Sequence, residues 1–117
     1  YSIGKLKLEF FGEKHELFTD VENIAVLVNN RFYHPGDSYT LPNVPVEVLS
    51  APASAPWLRV TEASKFITDI RPKIAFPSHN ALLSEIGESI HYRILSNAAK
   101  GAKIDWKVLK PGESIII

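Results

Sequence analysis

The apolar segment Ile24-Ala25-Val26-Leu27-Val28 limits the possible folds most strongly, because none of its positions is polar. Such a strand is buried on both sides, so its sheet needs other structure packed against each face. Alternating apolar residues predict another strand over Lys5–Phe10, and shorter strands are expected at His15–Thr19, Arg31–Tyr33 and Val46–Leu49. The first half of the chain is therefore expected to form an antiparallel meander.

The second half of the chain has helical patterning. Apolar residues three or four positions apart predict a first helix that is capped by Thr61 and stopped before Pro72. A second helix is predicted over about Ser84–Ala99. Its apolar stripe consists of Ile86, Ile90, Ile94 and Ala98. Because each helix has one apolar stripe, both are expected to cover the same face of the sheet.

Further strands are predicted between and after these helices. Ile74–Phe76 is a short buried strand that ends at Pro77, and a closing pair is expected at Ile104–Leu109 and Ser114–Ile117. This order predicts an α/β fold, α+β in some classifications, with one mixed sheet and residues 1–117 as a single unit. Nothing in the chain is predicted to cover the second face of the sheet.

Composition excludes several classes of function. The 13 Lys and Arg residues balance the 13 Asp and Glu residues, so no basic surface is expected to bind nucleic acid or an anionic membrane. The absence of cysteine excludes disulfides, thiolate metal sites and a cysteine nucleophile, and it agrees with a cytoplasmic location. No apolar run is long enough to span a bilayer. Because methionine is absent even at position 1, we expect a piece of a longer protein.

Two candidate chemical residues directly follow predicted strands. Asp37 lies on a Pro-Gly turn after Arg31–Tyr33, and His79 follows Ile74–Phe76 and Pro77. Each residue alone is typical of an ordinary turn or cap. Ligands, however, bind outside the carboxyl ends of strands in open α/β sheets, and Asp with His is a donor set that suits a divalent metal ion. Together the two residues indicate a candidate metal site.

Three motifs occur in order along the chain. They are His34-Pro35-Gly36-Asp37-Ser38, Ser54-Ala55-Pro56-Trp57-Leu58 and Phe76-Pro77-Ser78-His79-Asn80-Ala81-Leu82-Leu83-Ser84. With them, most of the chain resembles the C-terminal half of a metallo-β-lactamase-fold metal-dependent hydrolase, in the branch of ascorbate-6-phosphate-lactonase-like proteins. The resemblance implies half of a four-layer αββα sandwich, in which metal ions lie between two sheets.

The resemblance also implies roles for individual residues. Asp37 would be the catalytic carboxylate that bridges two metal ions, and His15 and His79 would be metal ligands. Zinc is the usual metal of such enzymes, with manganese or iron as alternatives. For His15 the alternative is a solvated strand residue. Apart from the resemblance, Trp57 lies after Pro56 and just before a predicted helix, and it is a weaker candidate for the wall of a substrate pocket, with packing beside a proline loop as its alternative.

The chain departs from the family pattern in two places. The His-x-His-x-Asp-His cluster, which holds most ligands of the first metal, is absent, since no two of the 4 histidines are spaced that way. Asn80 stands where related sequences often have Asp, which puts in doubt a hydrogen bond that would orient His79.

The other two histidines are expected to be structural. His34 is expected to point away from Asp37, and His91 is expected to be a surface or packing residue.

We therefore expect a fragment of a metal-dependent hydrolase that uses metal-activated water to cleave an ester, lactone or phosphoester of small molecules. Its metal site would be complete only with a missing N-terminal half, so the chain alone is expected to be inactive. The alternative is a non-catalytic module that forms a homo-oligomer through its exposed sheet face. A third hypothesis is a small-ligand-binding α/β domain without metal.

Overall fold

A computed structural model describes residues 1–117 and contains one mixed sheet of seven strands with two helices. The strands lie side by side in chain order. They are β1 (Ser2–Ile3), β2 (Leu6–Lys14), β3 (Glu22–Val28), β4 (Phe32–His34), β5 (Val48–Pro52), β6 (Ile74–Ser78) and β7 (Asp105–Trp106). The helices are α1 (Val60–Ile70), between β5 and β6, and α2 (Glu85–Gly101), between β6 and β7. The predicted α/β class with one mixed sheet is confirmed.

The pairing pattern of the sheet changes at β4. Strands β1 to β4 pair antiparallel, whereas β4 to β7 pair parallel. Because β2 and β4 are both antiparallel to β3, β2 runs in the same direction as β4, β5 and β6. The carboxyl ends of these four strands therefore lie at one edge of the sheet, which we call the site edge.

Strand β2 is longer than predicted. Its pairing with β3 continues to Lys14, which lies opposite Glu22, so the strand end predicted at Phe10 is wrong. The strand predicted at His15–Thr19 is also wrong. This segment turns instead, because the His15 ring accepts hydrogen bonds from two backbone N–H groups that follow it. A side chain that bonds its own backbone in this way competes with strand pairing.

Helix α1 begins one residue before the predicted cap. Its N-cap is Arg59, which makes no side-chain cap bond, and Thr61 lies within the first turn. The helix ends at Ile70, as predicted, where Arg71 adopts a left-handed φ of 54°. Its buried residues are Ala63, Phe66 and Ile67. Neither helix combines the length and the apolar character needed to cross a membrane.

Helix α2 buries a different stripe from the one predicted. Leu95 and Ala99 are buried, whereas Ile86 is 74% exposed and Ile90 is 43% exposed. The helix has two apolar stripes, and the stripe with Leu95 and Ala99 is the one that packs into the core shared with α1 and the sheet. The cap is Ser84, whose Oγ accepts a hydrogen bond from the Gly87 N–H at 3.2 Å.

One hydrophobic core lies between the helices and the sheet. Its large side chains are Leu27, Tyr33, Leu49, Phe66, Ile67 and Leu95. Because residues of both helices belong to this one cluster, both helices cover the same face of the sheet, as predicted.

The prediction of a closing pair of strands is wrong. Strand β7 contains only Asp105 and Trp106, and Ser114–Ile117 forms no strand. The turn at Lys110–Glu113 is present, with a hydrogen bond of 2.9 Å between its ends. The apolar pattern of this segment therefore did not decide strand formation, since the segment pairs with neither edge of the sheet.

The opposite side of the sheet carries no helix. Here Phe10 is 55% exposed and Ile24 is 64% exposed, so the strand predicted to be buried on both sides is covered by this chain on one side only. Phe32 and Phe76 stack in parallel with ring centres 6.2 Å apart. This surface, called the open face, consists of Leu8, Phe10, Ile24, Val26, Val28, Phe32, Ile74 and Phe76.

Candidate functional site

The site edge gathers the side chains that the sequence singled out. His15 directly follows β2, Asp37 follows β4, Trp57 follows β5, and His79 directly follows β6. In open α/β sheets, the carboxyl ends of parallel strands are where ligands bind. The direction of β2 is what adds His15 to this set, because β2 is parallel to β4 although β3 lies between them.

The turn that presents Asp37 is organised by Asn23 of β3. The amide oxygen of Asn23 accepts a hydrogen bond from the Asp37 N–H at 2.8 Å, and its Nδ2 donates to the Pro35 carbonyl at 2.9 Å and to Ser38 Oγ at 3.0 Å. Gly36 has a φ of +68°, and a Cβ there would lie 2.4 Å from Asn23 Oδ1. The turn therefore needs glycine at position 36 for both conformation and space.

The Asp37 carboxylate lies between two imidazoles. Its Oδ1 is 2.9 Å from His79 Nε2, and its Oδ2 is 3.5 Å from His15 Nε2. Each carboxylate oxygen thus faces a different histidine. The His79 side chain is 38% exposed and that of Asp37 is 39% exposed, so the group is open to solvent.

The His15 ring is fixed by its own backbone. Its Nδ1 accepts hydrogen bonds from the N–H groups of Leu17, at 3.0 Å, and Phe18, at 3.2 Å. A neutral imidazole whose Nδ1 is an acceptor carries its proton on Nε2. In this arrangement His15 therefore presents an N–H to Asp37. Metal binding through Nε2 would require the proton to move to Nδ1, and the hydrogen bonds from the Leu17 and Phe18 N–H groups would then be lost.

His79 has an unusual backbone conformation. Its φ is +56°, in the left-handed region that residues with a Cβ seldom adopt, although histidine is among the more tolerant. Non-glycine residues in this region cluster at functional sites, where the surrounding structure holds them. In this conformation the imidazole of His79 lies against the carboxylate of Asp37.

Trp57 forms an aromatic wall beside the two histidines. Its ring centre lies 6.3 Å from that of His15 and 6.4 Å from that of His79, both edge-to-face. Tyr39 contacts the same indole at 5.2 Å. Burial raises the pKa of Tyr39, and the nearby Glu62 and Glu16 carboxylates raise it further. Trp57 is thus both packed against Tyr39 and adjacent to the site, so packing and pocket-lining roles are compatible.

The other two histidines have structural contacts. His34 Nδ1 accepts a hydrogen bond from the Gly36 N–H at 3.0 Å, which closes the turn. Burial lowers the pKa of His34, while the charge of Asp37 raises it and that of His79 lowers it, so His34 is within electrostatic reach of the site. His91 Nδ1 lies 2.8 Å from the Ala53 carbonyl, which agrees with a packing role.

The donor set fits a divalent metal ion only in part. No three His, Cys, Asp or Glu side chains of the chain are grouped so that they could hold one ion. The separations of 2.9 Å and 3.5 Å nevertheless bracket the roughly 3.3 Å between two ligands of a tetrahedral ion with bonds near 2.0 Å. Asp37 and His79 fit as ligands, whereas His15 fits in position but not in its present tautomer. A complete metal site would need further ligands from outside the chain.

Sequence reasoning missed Asn23, which holds the turn of Asp37. A detectable signal existed, since a polar residue at a buried position of a strand needs hydrogen-bond partners. Asn23 is 8% exposed and lies on the core side of β3, the same side as buried Ala25 and Leu27.

Sequence comparison finds a relative of the chain among curated proteins. No family model matches the chain. The chain is 35% identical over 101 residues to protein Rv0786c of Mycobacterium tuberculosis (strain ATCC 25618 / H37Rv), a match that covers 82% of the chain and 46% of the relative. The chain therefore spans about half the length of the curated relative that it matches.

Two solved structures have a similar fold. One is from Parabacteroides distasonis ATCC 8503, a protein assigned by name as a metal-dependent hydrolase, with a TM-score of 0.60 and 20% identity over 88% of the chain and 50% of that protein. The other is Igni18, a metallo hydrolase of the hyperthermophilic archaeon Ignicoccus hospitalis KIN4/I, with a TM-score of 0.66 and 16% identity over 94% of the chain and 52% of that protein. The chain thus has the fold of about half of a metallo-hydrolase.

Proposed function

We propose that this chain contributes one half of the metal centre of a metal-dependent hydrolase. Asp37 would be the carboxylate shared by two metal ions, and His79 beside Oδ1 and His15 beside Oδ2 would be further ligands. The remaining ligands come from a second half that covers the open face. The substrate is a small molecule with an ester, lactone or phosphoester bond, and zinc is the metal that we favour.

The observation that carries this proposal is the arrangement at Asp37, where each carboxylate oxygen faces a different imidazole. A carboxylate with one imidazole at each oxygen is suited to two ions, whereas a single ion would need three donors around one point. The similarity of the fold to half of two metallo-hydrolase structures supports the assignment to a metal-dependent hydrolase. The ordinary composition and neutral charge of the chain agree with a small-molecule substrate.

Activation of water at near-neutral pH is the chemistry that bound metals of this kind supply. The residues of the chain do the positioning. Asn23 and Gly36 fix the turn that carries Asp37, while the left-handed backbone of His79 places its imidazole beside Oδ1. Trp57 supplies an aromatic wall beside the two histidines.

Hydrolysis assays test the proposal. The 117-residue chain is mixed with zinc or manganese and with a carboxylic ester, a lactone or a phosphodiester. We expect no turnover above that of Asp37→Ala, because the ligand set is incomplete. Joined to the other half of the fold, the chain should hydrolyse one of these substrates, and Asp37→Ala should lower the rate more than about 100-fold. Activity that survives Asp37→Ala in the joined protein contradicts the proposal.

A second candidate function rests on the open face. Phe10 and Ile24 are exposed there beside the stacked pair of Phe32 and Phe76. Contiguous apolar surfaces of this kind mark sites of protein association. In this alternative, the chain is a non-catalytic module in which two copies bury their open faces against each other.

Sedimentation distinguishes this alternative. Self-association predicts a dimer at micromolar concentration, and Ile24→Lys should convert it to a monomer because a buried charge would lie in the interface. The matched control is Ile86→Lys, on the exposed side of α2, which should leave the dimer intact. A monomeric wild-type chain excludes this alternative and leaves the metal-centre proposal unaffected.

A further inference from the structure

His79 lies between two anchored residues. Before it, the carbonyl of Ser78 at the end of β6 accepts a hydrogen bond from the Ala53 N–H at 2.8 Å. After it, Asn80 is held twice: its carbonyl accepts the Leu83 N–H at 2.9 Å, and its Nδ2 donates to Glu88 Oε1 at 2.8 Å. The left-handed turn at His79 is therefore bounded by fixed backbone on both sides.

Glu88 is the point at which Asn80 is attached to α2. Its carboxylate also accepts a weaker hydrogen bond from the Tyr92 hydroxyl, at 3.4 Å. Tyr92 is one helical turn further along α2 and packs against the core. The attachment thus connects the loop after β6 to a helix face that is itself fixed by packing. Neither Glu88 nor Tyr92 makes a hydrogen bond to Asp37 or to the two site histidines.

We infer that Glu88 is a positioning residue for His79. By accepting the Asn80 amide, it holds the loop so that His79 stays in its left-handed conformation and its imidazole faces Asp37. The inference rests on the proposed function for its metal-binding consequence, but its effect on the backbone of His79 is independent of any metal.

This pairing also explains why an amide occupies position 80. An amide nitrogen can donate to the Glu88 carboxylate, whereas a carboxylate at position 80 would place two acceptors 2.8 Å apart with no donor between them. Like-charged groups at this distance repel, so the loop would detach from α2. Position 80 and position 88 therefore form a matched donor and acceptor pair, which an exchange of their chemistry can restore.

The experiment is an exchange of donor and acceptor. Asn80→Asp breaks the pair, and adding Glu88→Gln restores a donor, because the glutamine amide can donate to the new carboxylate. The matched control adds Glu85→Gln to Asn80→Asp instead. Glu85 is also in the first turn of α2, but Asn80 makes its hydrogen bond to Glu88 and none to Glu85, so this control has the same net charge without a donor at position 88.

The first readout is the three-bond coupling between the amide and Cα protons of His79, which reports its φ without metal. We expect Asn80→Asp to move this coupling towards the extended value. Adding Glu88→Gln should return the coupling to the wild-type value, whereas adding Glu85→Gln should leave it as in Asn80→Asp. An unchanged coupling in folded Asn80→Asp overturns the inference. If Asn80→Asp does not fold, the variant that also carries Glu88→Gln must fold with the wild-type coupling, and its failure to do so also overturns the inference.

The second readout is zinc affinity in calorimetry. We expect Asn80→Asp to weaken zinc binding about 10-fold, and Glu88→Gln to recover most of it, because residues that orient a ligand typically change metal affinity by about 10- to 100-fold. If zinc binds the wild-type chain and Asp37→Ala equally well but the coupling responds as described, the proposed function fails and the positioning role stands. If zinc binding responds but the coupling does not, the positioning role fails.

Discussion

Replacing Gly36 with alanine tests the turn that presents Asp37. The substitution acts in two ways, because residue 36 has a φ of +68° and because its new Cβ would lie 2.4 Å from Asn23 Oδ1. Real Cβ atoms do not approach an oxygen so closely, so Asn23 must move. Its three hydrogen bonds to the turn, to Asp37, Pro35 and Ser38, would then be lost or weakened.

The magnitude follows from these two effects. A left-handed conformation costs a residue with a Cβ about 1 kcal/mol. Each hydrogen bond that Asn23 gives up contributes about 1 kcal/mol of stability. We therefore expect Gly36→Ala to lower the free energy of unfolding by about 4 kcal/mol, a large part of the total stability of a domain of this size.

Gly4 provides the matched control. It also has a left-handed φ, of +56°, but a Cβ added there would have no other atom within 4 Å. Gly4→Ala should therefore cost no more than about 1 kcal/mol. Urea unfolding followed by circular dichroism measures both variants. In the background of Asn23→Ala, Gly36→Ala should also cost only about 1 kcal/mol, because the clash is gone. Equal costs for Gly36→Ala and Gly4→Ala in the wild-type background would refute this reasoning.

Three further predictions concern packing, pH and proton position. Leu95→Ala should lower the free energy of unfolding by about 2–5 kcal/mol, whereas Ile86→Ala should change it by less than about 0.5 kcal/mol; equal effects in urea would show that α2 buries the other stripe. Burial raises the pKa of Tyr33, so its neutral form is favoured in the folded state and stability should fall as the pH rises above about 10. Tyr33→Phe should reduce that fall, and an identical pH dependence would contradict this cause. Nitrogen NMR of metal-free His15 should show the proton on Nε2, and a proton on Nδ1 would contradict the hydrogen-bond assignment.

The sequence predicts the elements whose own residues determine them. The central strand Ile24–Val28 and the end of α1 before Pro72 follow from local pattern and backbone chemistry. The meeting of Asp37 and His79 follows from a general property of parallel strands, since each residue comes after a strand that ends at the same edge. These inferences need no knowledge of distant contacts.

The features that the sequence did not predict depend on tertiary contacts. Helix α2 has two apolar stripes, and only packing against α1 and the sheet selects the one that contains Leu95. The segment Ser114–Ile117 is patterned for a strand but has no partner. The roles of Asn23 and Glu88 depend on hydrogen bonds across 14 and 8 residues of the chain, a kind of information that local periodicity does not contain.

A zinc titration followed by NMR of the imidazole nitrogens tests the central claim most directly. The chain has 4 histidines, so each one can be followed separately. We predict that the signals of His79 and His15 change on addition of zinc while that of His91 does not, and that Asp37→Asn weakens this response by more than about 10-fold. Zinc binding that is unchanged by Asp37→Asn, or that occurs at His91 instead, would contradict the assignment of Asp37 as the centre of the site.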